Sequence, residues 1–181
     1  MYKKMTAAVL AAAALMLAPH AVGASKSGNE VRMEDRCDPA SFNAAVGPGT
    51  CIPTPHGETT FDEFVAAAIA NGSVDHWRFQ ASGSAIKRGE TISVLNEGGE
   101  FHTFSEVAAF GGGCVPEVNA LVGLSPVPEC EQIDPATGLP VFVATLVPPG
   151  GAVTAGGALS KGTHHFMCLI HPWMQAEVNV R

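Results

Sequence analysis

The chain has 181 residues, 46 % of them hydrophobic and only 15 % charged, with 20 Gly and 13 Pro. That balance excludes a disordered chain and suits a compact domain with many ordered turns. A formal net charge of −7, with no basic cluster, excludes an electrostatic grip on nucleic acid or anionic lipid and favours basic partners.

Residues 1–24 read as an export signal. Met1-Tyr2-Lys3-Lys4 is a short basic start, Thr6 to Ala18 is apolar, and Ala21-Val22-Gly23-Ala24 offers a small-residue cleavage site before Ser25. The apolar run is shorter than the ~20 residues of a spanning helix. No later stretch could span, so no membrane span is expected after signal removal. Residues 25–181 suffice for one domain with a real core.

Residues 25–76 read as an N-terminal extension. Its first part, to about Glu58, is polar and irregular and carries Cys37 and Cys51. A short helix follows. Thr60 with Glu63 forms a capping box, Phe61, Phe64, Val65, Ala68 and Ile69 share one face, and Asn71-Gly72 stops it. That face is expected to pack on the rest of the domain.

From Trp77 the period becomes two. Trp77 and Phe79, Ile92 and Val94, Val141 and Val143, and Val178 and Val180 each alternate with their neighbours, in short runs divided by Gly and Pro turns. Such runs predict an all-β sandwich over 77–181. Residues from about 111 to 140, with Cys114, Cys130 and several Pro, read as a long inserted loop.

The most informative run is Cys168-Leu169-Ile170-His171-Pro172-Trp173-Met174, spaced C-x2-H-x2-M. Thiolate and thioether are soft ligands, and imidazole suits several transition metals. Cys and two His with a distant axial Met is the ligand set of a blue-copper electron-transfer site. The run supplies three of those four ligands, and a second His must come from elsewhere. Pro172 biases His171 toward an extended backbone. Period two along His164-His165-Phe166-Met167-Cys168 puts Phe166 into the core and Cys168 at the end of the sandwich, with His165 outward.

Asn96 to Thr103 and Gly162 to Met174 together resemble the small cupredoxins, the plastocyanin, pseudoazurin and amicyanin type. The two-residue gap between His171 and Met174 is most similar to amicyanin. The resemblance covers roughly Trp77 to Arg181. It implies a Greek-key cupredoxin sandwich, with the short N-terminal helix and the insert as additions, and one type 1 copper ion. The first ligand in that family follows an Asn and a turn after a strand. Among His56, His76, His102, His164 and His165, only His102 is so placed. The implied metal ligands are therefore His102, Cys168, His171 and Met174, with a Thr103 or neighbouring N–H on the Cys168 sulfur and with His171 near the surface as the electron port. His164 departs from the pattern, which carries an aromatic residue there; it reads as a satisfied histidine or a pH-sensitive group. Trp173 reads as part of a docking patch or as loop packing.

With Cys168 assigned to metal, Cys37, Cys51, Cys114 and Cys130 remain, and three connectivities are open. Local pairing, Cys37 with Cys51 and Cys114 with Cys130, closes loops of ~15 residues, each worth ~3 kcal/mol in the chain-entropy model.

The expectation is a periplasmic or extracellular monomer, not an enzyme, that carries one electron between protein redox partners. A copper delivery or storage protein is the alternative. An oxidase or nitrite reductase needs a further copper cluster, commonly seen as His-x-His pairs, and zinc takes Met poorly.

Overall fold

The computed structural model describes residues 29–181; the expected export signal lies outside them. The strands are β1 (Glu30–Glu34), β2 (Arg78–Ala81), β3 (Ala85–Ile86), β4 (Ile92–Asn96), β5 (His102–Thr103), β6 (Ser105–Val107), β7 (Leu146–Val147), β8 (Ala152–Ala155), β9 (Gly162–Met167) and β10 (Gln175–Val180). Four short helices join them: α1 (Pro39–Ala45), α2 (Phe61–Asn71), α3 (Pro116–Val122) and α4 (Val141–Ala144).

The strands form two four-stranded sheets, ordered β2-β1-β4-β8 and β3-β10-β9-β6, and a small β5-β7 pair. Both large sheets are mixed, because β1 runs parallel to β4 and β3 parallel to β10. Val31 and Met33 from β1, Ile92 and Val94 from β4, Phe166 from β9 and Val178 and Val180 from β10 share one buried core. This is the expected β-sandwich. Alternation builds it, since each strand turns every second residue inward.

β9 and β10 form an antiparallel hairpin, with Met167 opposite Gln175. Residues 168–174 are its loop, so the register of twelve paired residues fixes where that loop stands. Cys168 N–H donates to the Met174 carbonyl at 3.0 Å, and Met174 N–H to the His171 carbonyl at 2.9 Å. The loop is thereby closed on itself at both ends.

The segment expected to be irregular is regular in its first half only; residues 46–58 form no helix or strand. β1 lies between β2 and β4 in the centre of its sheet, and α1 follows it. Asp38 caps α1 by accepting from Ser41 N–H, and Pro39 occupies its first turn. Val31 and Met33 alternate with Arg32 and Glu34, but the run is short and heavily charged outward, so its pattern is faint. α2 has the expected boundaries, capping box and left-handed Gly72 stop. Of its apolar face, Phe64 and Ala68 are buried, whereas Ile69 is 63 % exposed.

Val141–Ala144, within a run read as a strand, is instead the one-turn helix α4 ahead of β7. Ala144 N–H donates to the Pro140 carbonyl, and Thr145 Oγ1 to the Val141 carbonyl. A four-residue apolar run fits either period, and those local bonds decide it. The insert also has structure of its own, namely α3 and a 3-10 turn over Pro128–Glu131. Its Val127 joins Val107, Met167 and Leu169 in a second apolar cluster on the outer face of the β9 sheet.

The disulfides are Cys37–Cys51 and Cys114–Cys130, the local pairing, and Cys168 is free and buried. No helix among the described residues is long and apolar enough to cross a membrane.

Candidate metal centre

Cys168 stands one residue beyond β9, His171 lies in the loop that follows, and His102 opens β5. The three converge. Cys168 Sγ and one nitrogen from each of His102 and His171 all lie within 4.8 Å of one another. His102 Nδ1 is 3.8 Å from Cys168 Sγ and 3.3 Å from His171 Nδ1. The two Nδ1 atoms therefore face each other, with that of His102 beside the thiol. Met174 is fully buried in the same core cluster. His56, His76, His164 and His165 take no part in this group.

The sulfur is held by the backbone. Thr103 N–H and His171 N–H each donate to Cys168 Sγ at 3.4 Å. Thr103 Oγ1 also accepts from Leu169 N–H at 2.7 Å, so β5 grips the ligand loop twice. The insert grips it from the other side, because Cys114 N–H donates to the Leu169 carbonyl at 2.6 Å. Gly113 permits that approach; a Cβ there would fall 2.3 Å from the same carbonyl.

Behind the rings stand two buried carboxylates that sequence reasoning missed. Asp35 Oδ2 accepts from His102 Nε2 at 2.8 Å. Glu100 Oε2 lies 3.6 Å from His171 Nε2 and accepts from Trp77 Nε1 at 2.7 Å. Asp35 also accepts from the backbone N–H groups of Cys37, Gly99 and Glu100. The turn Asn96-Glu97-Gly98-Gly99 wraps around it so closely that a Cβ on Gly98 would meet its Oδ2 at 1.9 Å. Asn96 supports the turn, donating to the Glu100 and Val147 carbonyls and accepting from Gly98 N–H. A signal for Asp35 exists in the sequence: it falls in phase with Val31 and Met33, an acid where alternation demands an inward residue.

These contacts set the protonation of the metal-free site. Burial raises the Cys168 thiol, yet hydrogen bonds and charge from His102 and His171 outweigh it and hold the thiol well below its ordinary range. Burial pulls His102 down, but Asp35 and Cys168 drive it up to about 10. Burial raises Asp35, and the hydrogen bond and charge of His102 bring it down to about 2. Burial pushes Glu100 up, against the charge of His171 and with that of Asp35. The metal-free cluster thus favours a thiolate beside imidazolium, the deprotonated sulfur that a metal requires.

Three aromatic residues cover His171, and one of them, Phe64, comes from the extension. Phe64 of α2 lies 5.8 Å from its ring, Trp77 6.4 Å and Trp173 5.7 Å. His171 is only 3 % exposed. The expected surface position of its ring edge is therefore corrected: α2 brings Phe64 against it. Trp173 is half-buried and also packs on Phe64 at 5.9 Å. His164 is a satisfied histidine, bonded to Glu106 at 2.6 Å and to the Ser160 carbonyl at 2.9 Å. His165 faces outward, with Phe110, just ahead of the insert, 4.8 Å from its ring.

Two facing four-stranded sheets carry this cluster at one end, with its thiol just past β9 and its loop closed by β10. The fold is a two-sheet β-sandwich. No family model matches the sequence, and no curated protein matches it. Among solved structures, a purple cupredoxin from Nitrosopumilus maritimus aligns over 84 % of this chain and 99 % of its own, at 11 % identity and a TM-score of 0.39. A Cu(I) form of an amicyanin mutant aligns over 54 % and 67 % respectively, at 18 % identity and 0.31. A mutant fern plastocyanin aligns over 59 % and 90 %, at 17 % identity and 0.34.

Proposed function

We propose that the protein is an exported type 1 copper protein that carries one electron at a time between protein partners. The convergence of one thiol and two imidazole nitrogens within 4.8 Å, buried beside Met174, supports this most. His102, Cys168, His171 and Met174 would hold the ion. Their chemistry fits copper: one soft thiolate, two imidazoles already turned inward, and a thioether. Bound there, copper supplies one-electron redox chemistry.

The protein's own part is to hold the donors still and dry. Two N–H groups fix the sulfur, β5 and the insert clamp the loop, and the aromatic wall keeps water from His171. A donor set this rigid need not rearrange when charge changes. A closed set also leaves no position for a substrate, which favours a carrier over an enzyme. The route outward runs through the aromatic side chains packed on His171, with half-buried Trp173 the first of them. The acidic net charge suits basic partners, met by a monomer in a periplasmic or extracellular space where the two disulfides persist.

Copper delivery is the second reading. Delivery needs an accessible ligand for handover, and none of the four proposed ligands exceeds 3 % exposure. The test is repeated chemical reduction and reoxidation in the presence of a copper chelator or an apo copper acceptor. A carrier retains its copper through many cycles. Release of copper to the acceptor on reduction would overturn the carrier role and favour delivery. Trp173→Ala is expected to slow reduction by a protein partner while leaving the copper spectrum in place.

A further inference from the structure

We infer that Asp35 is a positioning residue of the metal centre: its carboxylate fixes the His102 ring by accepting from Nε2, aims Nδ1 at the metal and favours the oxidised ion. This rests on the copper reading above, and it extends that reading to a residue far upstream of the ligand motif. Three observations carry it. Asp35 and His102 side chains are fully buried, and their 2.8 Å contact is the only hydrogen bond given to His102 Nε2 among the described residues. Asp35 is itself immobilised, since Oδ1 accepts from Cys37 and Gly99 and Oδ2 from Glu100 as well as His102. The strand and disulfide that bring it there belong to the extension, with Cys37 two residues away and joined to Cys51.

Four donors meeting two oxygens explain why a carboxylate is needed. An amide in that position must point its NH2 at two of the four N–H groups, whichever way it is flipped. A carboxylate behind a ligating imidazole fixes its tautomer and raises its basicity, and loss of such a partner typically costs ~10–100-fold in metal affinity. A negative charge behind the ring stabilises Cu(II) more than Cu(I), since the ion's charge is larger. The β1 alternation that turns Val31 and Met33 into the core thus also delivers the carboxylate that orients His102.

The experiment pairs Asp35→Asn with an NMR measurement on the wild-type protein. In copper-loaded Asp35→Asn, Cu(II) affinity should fall about 10–100-fold and Cu(I) affinity less. The reduction potential should then rise by about 59 mV for each tenfold difference between the two. A lower melting temperature with unchanged potential would reduce Asp35 to a structural role and overturn the inference. Should the variant not fold, wild-type protein labelled with 15N at histidine decides it, both metal-free and Cu(I)-loaded. His102 Nε2–H should be shifted to low field and protected from exchange in both forms. A fast-exchanging, unshifted Nε2–H would refute the contact. Wild-type protein that shows this proton but takes up no copper would instead refute the copper reading and leave the His102–Asp35 pairing standing.

Discussion

Cys168→Ser is expected to abolish the intense visible band of the Cu(II)-loaded protein. The band arises from charge transfer out of a thiolate, and a serine hydroxyl is a hard, weak donor that stays protonated. Nothing else can replace the sulfur: Cys168 is the free cysteine, and the other four form disulfides. The substitution is nearly isosteric, so the β9–β10 hairpin and the β5 contact should persist. Absorption and EPR spectra with Cu(II) check the first point and far-UV circular dichroism the second. A retained band in a folded variant would remove Cys168 from the site and with it the whole ligand assignment.

Phe42→Ala should produce the largest loss of stability, about 3–5 kcal/mol. Phe42 is 1 % exposed, lies in the extension, and stacks on Trp77 with ring centroids 5.9 Å apart. It meets Phe61 and Phe64 edge-on at 5.3 and 5.5 Å. Its removal opens a cavity directly beneath α2, the helix that covers His171. Denaturant unfolding of the metal-free protein measures the loss. The mutation Ile69→Ala, on the exposed side of the same helix, should stay within ~0.5 kcal/mol. Equal, small effects of the two would mean that the extension is a loose appendage and that His171 is not held under it.

The parts of the fold with strong local signals could be read from the sequence. Thr60 and Glu63 announced the start of α2 and Gly72 its end, because caps depend on neighbours within one turn. Ile92 and Val94, and Val178 and Val180, announced β4 and β10 by simple alternation. Cys168, His171 and Met174 stand in one short loop, so their spacing alone suggested a site. His102 could be named only by resemblance, since the chain returns to the loop from 66 residues away.

What stayed hidden depends on long-range pairing. β1 is a central strand only because β2 and β4 flank it, and its own residues are mostly charged. Ala152–Ala155 offers little apolar alternation, yet it pairs with β4 along four residues. Asp35 and Glu100 looked like ordinary surface acids. Their burial follows from tertiary partners, His102 and Trp77, and only Asp35, in phase with Val31 and Met33, left a local trace of it. The cover over His171 was missed for a related reason. The helix was foreseen, but where it would lie was not.

A titration of the metal-free wild-type protein with Cu(II) decides whether Cys168, His102, His171 and Met174 form a single copper site. Visible absorption should show an intense thiolate-to-copper band that grows to one equivalent and then stops. Reduction should bleach it and reoxidation restore it. Absence of the band, saturation at a different stoichiometry, or displacement of the copper by equimolar zinc would mean that these four residues do not form one copper site.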